Sequence, residues 1–482
     1  MVNLLTSFVF LAGQISIRCN LIEACGVFGI YNFEPDSPAK SIYYGLFALQ
    51  HRGQESAGIA VSDGKDIKNY KAMGLVNQVF SEKNLRDLTG NIGIGHVRYS
   101  TTGSSIIENA QPIVIDTRYG TVALAHNGNL VNSNDLRQDL KEKGISFRGT
   151  SDSEVMAALI ATSKEDNFEA ALIDSLKQCK GAFSVVILNQ DKLIAVRDPN
   201  GIRPLCIGKL DRGYVIASET CALDILGAKF VRDVSNGEIV VIDQGGLRSK
   251  TWEMQDNEAI CVFEFIYFAR PDSVLNGRNV YEARFNMGKY LAKEHPVDAD
   301  MVMPVPESGV PAAIGFAAES KITFGEGLIK NRYIGRTFIQ PSQEIRDLGV
   351  RLKLNPIRDA VRGKKIVVLD DSIVRGTTSR QIVRLIREAG AREVHMRISS
   401  PPNLNPCFYG IDTATKADLV AANLSIEGIR KYIEADSLGY LSIKSLINSI
   451  SLPGNNLCMA CFNGEYPVKI PERMKSLSLF FK

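Results

Sequence analysis

Hydrophobic positions in the first half of the chain come in short runs broken every few residues by Gly, Asn or Asp. The runs are CGVFGIYNF (25–33), SAGIAVSDG (56–64), GIGHVRYSTTG (93–103), GTVALAHNGNL (120–130), AFSVVILNQDK (182–192), KLIAVRDPNG (192–201) and GYVIASE (213–219). Short β-type runs with turn residues between them predict antiparallel sheets up to about Asp243. Two helical patterns interrupt, Lys40–Gln50 and Ser153–Lys164, the second opened by Thr-Ser-Asp-Ser-Glu, which suits a helix N-terminus.

After about Ile260 the pattern changes. Asp300–Val305 is apolar and is followed by Pro-Glu-Ser-Gly, then by a helical pattern from Pro311. Lys365–Leu369 reads as a buried strand, followed by a loop and a helix over Thr378–Ala389, and Val394–Ile398 reads as the next strand. Alternating strands and helices predict parallel βαβ units. The boundary between the two patterns is expected in the polar stretch between Asp243 and Ile260, and the tail after Ser449 is loop-rich. No internal repeat or low-complexity tract is present.

Composition adds exclusions. The 482 residues are 45% hydrophobic and 23% charged, which rules out disorder, collagen and coiled coil as the main architecture. Lys+Arg total 56 against 53 Asp+Glu, a net charge of +3, so electrostatics gives no case for nucleic acid or a membrane surface as the main partner. Nine cysteines are too few for a disulfide scaffold and suit metal binding or catalysis in a reducing compartment. Met1–Ala24 has a short apolar core, but no Lys or Arg precedes it, and it is too short and interrupted to span a membrane. It reads as a removable leader.

The sharpest motif is VVLDDSIVRGTTS, 367–379. A strand ends in Asp370 and Asp371, a loop carries Ser372, Val374, Arg375 and Gly376, and a helix opens with Thr377, Thr378 and Ser379. A loop entering a helix N-terminus aims backbone N–H groups and the helix dipole at one point, which suits a phosphate. The two carboxylates suit vicinal sugar hydroxyls or a Mg²⁺ that keeps several waters. The motif closely resembles the phosphoribosyl pyrophosphate (PRPP) signature of type I phosphoribosyltransferases. A second loop, Pro304–Gly309, is placed as a pyrophosphate-side loop, with Ser308 a candidate Mg²⁺ ligand. The segment Leu328–Pro341 brings Lys330, Arg332 and Arg336, a basic stretch suited to folding over a polyphosphate.

Cys25 follows Ala24, and HRGQESAGI (51–59), GHVRYSTTG (95–103), HNGNL (126–130) and TSDSE (150–154) come after it in order. Together these resemble the glutaminase domain of the N-terminal-nucleophile (class II) amidotransferases, over nearly all of residues 25–240. A thiol of pKa about 8.5 needs a base, and a free α-amine of pKa about 7.7–8.0 can accept its proton where an amide nitrogen cannot. Cleavage between Ala24 and Cys25 is therefore expected. The resemblance implies Cys25 as nucleophile and, through its amine, as base. It further implies Arg98 on the glutamine α-carboxylate, Asp152 on the α-ammonium, and Asn127 with the Gly128 N–H as oxyanion hole.

Cys458 and Cys461 have the spacing of a metal or iron–sulfur ligand pair, for which a Cys₄ zinc site is the rival. Cys19, Cys179, Cys206, Cys221, His295 and His395 lack such a setting. Taken whole, residues 25 to about 470 resemble the iron–sulfur-containing branch of the amidophosphoribosyltransferases. That resemblance implies Cys261 and Cys407 as the remaining ligands of a [4Fe–4S] cluster. It implies a leader at 1–24 and an α+β glutaminase domain, an αββα sandwich, at 25–255. The implied remainder, 256–482, is an α/β phosphoribosyltransferase domain with a five-stranded parallel sheet and a cluster-binding tail. Also implied are glutamine and Mg²⁺–PRPP as substrates, 5-phosphoribosylamine as product, purine nucleotides as feedback inhibitors, a homo-oligomer (dimer or tetramer) and a cytoplasmic location. The rivals are a glutaminase serving a sugar phosphate, against which 370–379 argues, and a non-catalytic PRPP or nucleotide sensor, against which the glutamine motifs argue.

Overall fold

The computed structural model describes residues 25–34, 37–99, 104–253, 258–331, 353–411 and 415–475. The expected leader, Cys19, Arg332 and Arg336 lie outside the described residues. The first half contains β1 (Gly26–Asn32), β2 (Ser56–Ser62), β3 (Ile67–Met73), β4 (Ile92–Arg98), β5 (Ile113–Thr117), β6 (Gly120–Leu130), β7 (Gly181–Asn189), β8 (Lys192–Arg197), β9 (Cys206–Leu210), β10 (Gly213–Ala217), β11 (Lys229–Asp233), β12 (Glu238–Asp243) and β13 (Gly246–Thr251). They form two sheets, ordered β11-β9-β10-β1-β4-β2-β3 and β13-β12-β8-β7-β6-β5. The central pairings, β1 with β4 and β10 and β7 with β6 and β8, are antiparallel.

Period-two alternation explains the layering. On β1, Val27 and Tyr31 enter the core between the sheets, where they join Ala123, Val186 and Val240. Phe28 and Ile30 point the other way, under Ile42 and Leu46 of the helix Pro38–Ala48. The second sheet is covered on its outer face by Ser133–Glu142, Asp152–Thr162 and Phe168–Gln178. The result is an αββα sandwich. Pro38 sets the first of these helices two residues earlier than its sequence pattern suggested, because proline is pre-organised for a first helical turn. The polar stretch expected as a linker instead contributes β13, an edge strand whose side chains are largely exposed, so its charged sequence is compatible with pairing.

The second half contains β14 (Ile260–Cys261), the hairpin β15 (Val274–Leu275) and β16 (Arg278–Asn279), β17 (Met301–Pro304), β18 (Leu328–Lys330), β19 (Leu354–Pro356), β20 (Lys365–Asp370), β21 (Glu393–Ile398), β22 (Ser437–Tyr440) and β23 (Leu457–Cys458). Strands β17-β20-β21-β22 form a parallel sheet. Five strands were expected; among the described residues there are four, and at the edge Phe324 makes a single parallel bridge to Val302. Helices cover both faces, which is why β20 reads as an unbroken apolar run. Val367 and Leu369 face the core shared with helices Val280–Glu294 and Val310–Ser320, while Ile366 and Val368 face Ile382 and Ile386 of helix Thr377–Glu388. No helix among the described residues is long and apolar enough to cross a membrane.

The halves share a core and a buried charge network. Val131, Ala182 and Ile202 of the sandwich pack in one cluster with Phe263, Phe265 and Tyr409. Arg52 grips Glu264 with both ends of its fork, at 2.8 Å each, and reaches Glu219 at 2.5 Å. Arg203 bonds the same Glu264 at 3.2 Å and donates twice to the Tyr409 carbonyl, at 3.1 and 2.8 Å. Glu219 also accepts from the Ser273 hydroxyl and the Arg270 N–H. All four charged side chains are buried. Burial opposes the charge on Arg52, but Glu264 and Glu219 outweigh it and hold its pKa above the ordinary value. Burial likewise opposes ionisation of Glu219, and His51 and Arg52 outweigh it.

Glu264→Ala leaves Arg203 without its carboxylate and Arg52 with Glu219 alone. Stripping one partner from a buried pair costs about 3–5 kcal/mol. The expected outcome is a lower urea midpoint at an unchanged slope, and an unchanged midpoint would refute the network's role.

Candidate active sites and cysteine cluster

Cys25 immediately precedes β1 and is buried beside the end of β4. Its thiol donates to the Tyr99 carbonyl at 3.3 Å, and its own carbonyl accepts from Arg52 Nε at 3.0 Å. Burial pushes the thiol up, against the lowering effects of Tyr99 and Arg98. A thiol in that position needs a base. His96 is pushed down to about 3, chiefly by burial, and His126 is also lowered by burial, so neither imidazole is suited to the task at neutral pH. His96 instead bonds the His126 carbonyl at 3.0 Å, and His126 bonds Ser153 Oγ at 3.1 Å.

The remaining glutamine-site candidates converge on this region. Arg98 and Asp152 both act electrostatically on the Cys25 thiol. Arg98 is buried and bonds Glu55 at 2.9 Å and the Ser104 carbonyl at 3.3 Å, so a substrate carboxylate would share or replace Glu55. Asp152 opens its helix and accepts from the Leu130 and Ser153 N–H groups, both at 2.9 Å. Asn127, on β6, is buried, and its Nδ2 has no hydrogen-bond partner among the described residues. A buried amide donor left unpaired costs free energy unless something else accepts its hydrogen bond. The next residue, Gly128, has φ +152°, and a Cβ there would lie 2.0 Å from the Ala182 carbonyl oxygen, so only glycine fits.

In the second half, β17 and β20 are neighbours, so the loops leaving their C-terminal ends meet. Ser308 Oγ donates to Asp371 Oδ2 at 2.5 Å, and Ser372 Oγ donates to Asp371 Oδ1 at 2.8 Å. Asp370 and Asp371 are both buried. Burial, and for Asp370 also the charge of its neighbour, pushes these carboxyls up. Such a pair is suited to a cation or to sugar hydroxyls. Gly376, at φ +79°, turns the chain into the helix that Thr377 and Thr378 begin, with Ser379 buried behind them. Lys330 is half-exposed, 3.8 Å from Glu307 of the neighbouring loop.

Cys261 and Cys458 are register partners in the parallel pair β14–β23. Cys407 Sγ accepts from the Tyr409 N–H at 3.3 Å, and Cys461 lies in the short helix Ala460–Asn463. Cys261, Cys458 and Cys461 lie in one core cluster and Cys407 packs against it, so the four share one region. Burial pushes Cys261 up to about 12, and it raises Cys458 and Cys461 as well. Among the described residues no three His, Cys, Asp or Glu side chains converge as a single metal ion requires. Cys179, Cys206 and Cys221 are separately buried, His295 bonds the Tyr440 carbonyl, and His395 bonds Ser437 and Glu393.

Sequence reasoning quoted the His51–Glu55 stretch without assigning Arg52 or Glu55, and it missed Arg203, Glu219 and Glu264 altogether. An acidic residue inside the apolar run ICVFEFIYF was the available sign of Glu264, since a buried carboxylate needs a partner.

Residues 96–224 match the glutamine amidotransferase domain family. The chain is 54% identical over 466 residues to the amidophosphoribosyltransferase of Synechocystis sp., covering 95% of this chain and 94% of that protein. The Methanocaldococcus jannaschii amidophosphoribosyltransferase is 52% identical, covering 92% of this chain and 98% of its own length. Among solved structures, glutamine phosphoribosylpyrophosphate amidotransferase from B. subtilis, complexed with ADP and GMP, superposes with a TM-score of 0.88 at 48% identity, over 93% of this chain and 98% of that one. A second, described as the allosteric regulatory enzyme of purine biosynthesis, gives 0.89 at 47% identity, over 95% and 99%. With identity above half over nearly the whole length of its relatives, the chain belongs to the amidophosphoribosyltransferase family.

Proposed function

We infer that the chain is a glutamine-dependent pentosyltransferase that makes 5-phosphoribosylamine, pyrophosphate and glutamate from glutamine, PRPP and water, the first committed step of purine synthesis. The observation that carries this reading is the near-full-length identity to amidophosphoribosyltransferases. Residues 25–255 form the glutaminase domain, and 256–482 the phosphoribosyltransferase domain. Residues 1–24 are a leader whose removal frees the Cys25 amine.

In the glutaminase half, Cys25 Sγ attacks the glutamine carboxamide carbon while its proton passes to the α-amine of the same residue. Asn127 Nδ2 and the Gly128 N–H hold the oxyanion; that the Asn127 amide has no partner among the described residues supports this role. The C–N bond breaks, the amine returns the proton to the departing ammonia, and water cleaves the γ-glutamyl thioester to glutamate. Arg98 and Asp152 fix the α-carboxylate and α-ammonium, each exchanging part of its present hydrogen bonding for substrate.

In the second half, ammonia attacks C1 of PRPP and pyrophosphate leaves. Backbone N–H groups from Ser372 through Ser379, including Val374, Arg375 and Gly376, cradle the 5-phosphate, with hydroxyls from Thr377, Thr378 and Ser379. Asp370 and Asp371 orient the ribose hydroxyls, and Lys330 reaches the pyrophosphate. Ser308, Asp370 and Asp371 would hold Mg²⁺, which supplies charge neutralisation on the departing pyrophosphate.

Cys261, Cys407, Cys458 and Cys461 would hold a [4Fe–4S] cluster. Four thiolates are the ligand set such a cluster requires, and these four cysteines lie in or against one core cluster. The cluster would tie the tail to the rest of the fold. The B. subtilis relative was solved with ADP and GMP, and we take purine nucleotides as the feedback inhibitors here. The same reading makes the protein a cytoplasmic homo-oligomer, dimer or tetramer, in a compartment that keeps its thiols reduced.

Glutamate release from glutamine, assayed anaerobically, should rise severalfold on adding Mg²⁺–PRPP, with pyrophosphate formed alongside. Release indifferent to PRPP would remove PRPP as acceptor and turn the search to sugar phosphates. Mass spectrometry should find a denatured chain beginning at Cys25, and a native mass heavier by four irons and four sulfides. A chain retaining 1–24 refutes the leader assignment, and colourless protein with one zinc refutes the cluster.

A further inference from the structure

The segment Cys407-Phe408-Tyr409-Gly410 belongs to the second half of the chain, yet it is fastened along its length to the glutamine site of the first. Asn129 Nδ2 donates to the Phe408 carbonyl at 2.8 Å, and Asn129 is the residue after Gly128. Arg203 clamps the Tyr409 carbonyl with two hydrogen bonds, and through Glu264 that clamp continues to Arg52, which holds the Cys25 carbonyl. Tyr409 is anchored at its far end as well, its hydroxyl donating to the Val468 carbonyl at 2.7 Å and accepting from the Val468 N–H at 2.9 Å. Gly410 then lies directly on the Gly128 peptide. A Cβ on Gly410 would lie 2.9 Å from both the carbonyl carbon and the carbonyl oxygen of Gly128, and 3.2 Å from its Cα. The other face of Gly128 is closed by β7, where the Ala182 carbonyl leaves no room for a side chain. The Gly128 backbone is thus pressed between two backbones, one from each half of the protein.

We propose that the strap 407–410 is the positioning element for the oxyanion hole, with Gly410 fixing the Gly128 peptide and Asn129 holding the strap down. The inference rests on the assignment of Asn127 and Gly128 as oxyanion donors. An N–H aimed at an oxyanion is effective only within a few tenths of an ångström of its place, so a peptide fixed from both sides is pre-organised for that task. Because Cys407 starts the strap and accepts the Tyr409 N–H, one of the four cysteines and Gly410, which packs on the Gly128 peptide, are three positions apart in one segment. Gly410 and Asn129 are not among the residues assigned to the phosphoribosyl site, so the strap's effect is expected on glutamine chemistry.

The test uses full-length Gly410→Ala, Asn129→Ala and Asn127→Ala proteins with cluster content checked by iron analysis. Two rates are compared, PRPP amination driven by glutamine and by ammonium chloride. For Gly410→Ala the expected result is a glutamine-driven kcat lowered roughly 100-fold, with the glutamine KM within about twofold and the ammonium-driven rate retained. Asn129→Ala, which adds no bulk, should lower the same kcat about tenfold, and it decides the matter if Gly410→Ala does not fold. Parent-like glutamine turnover in Asn129→Ala, with turnover abolished in Asn127→Ala, overturns the strap while leaving the oxyanion assignment standing. Parent-like turnover in Asn127→Ala overturns the oxyanion assignment itself. Equal loss of both rates, or a raised KM at constant kcat, also overturns the inference, since either would mean general damage or weaker glutamine binding.

Discussion

The carboxylate of Glu264, held between Arg52 and Arg203, is the interaction on which the arrangement of the two halves depends. Each of the three is fully buried, and a single one of these charges left alone in the interior would be prohibitive. Together they form a group in which every charged atom needs the others in place. Because Arg52 and Arg203 come from the sandwich and Glu264 from the chain beyond it, the charges are satisfied only when the halves dock in one geometry. Apolar contact between Val131, Ala182 and Phe263 supplies much of the attraction, but apolar contact alone tolerates sliding. The fork geometry of two guanidiniums on one carboxylate does not. Glu264 also begins a π-helical turn through Phe268, an irregularity of the kind often retained at functional positions.

The two candidate sites solve opposite electrostatic problems. The phosphoribosyl site must receive a highly anionic substrate, and it gathers two buried carboxyls whose ionisation burial disfavours. Backbone N–H groups at the start of helix Thr377–Glu388 supply the positive end. The glutamine site receives a zwitterion and must stabilise a charge that appears only during reaction. The proposed donor, the Asn127 amide, has no hydrogen-bond partner among the described residues, and burial lowers the pKa of both histidines. The proposed removal of residues 1–24 would supply the missing base, an amine beside the thiol.

Much of this was legible in the sequence, and the reasons are local. The segment 367–379 carries strand, loop and helix start in thirteen consecutive residues, so its strand and helix fell within one residue of the expected bounds. The sandwich strands showed through their turn residues. Helices Ser133–Glu142, Phe168–Gln178 and Val280–Glu294 were not anticipated, and the first is dominated by polar residues with only Leu136 and Leu140 as apolar anchors. Strand β13 was taken for a linker because an edge strand exposed to water has no apolar signature. The ion network was invisible for a different reason: Arg52 and Glu264 are 212 positions apart, and no local pattern records a partner at that distance.

The four grouped cysteines fit the same logic of charges tolerated only in company. Cys261, Cys458 and Cys461 are buried thiols with raised pKa values, so they remain protonated and pack as small apolar groups. Ligation would convert the thiols to thiolates and place negative charge beside a nearby guanidinium. That guanidinium, on Arg203, is electrostatically coupled to both Cys261 and Cys407 while it holds Glu264 and the Tyr409 carbonyl. One side chain thus faces the cysteine group on one side and the carboxylate that joins the halves on the other. From Arg203 a chain of hydrogen bonds runs through Glu264 and Arg52 to the carbonyl of Cys25. Its charged members are buried, and charges removed from water are screened by little else.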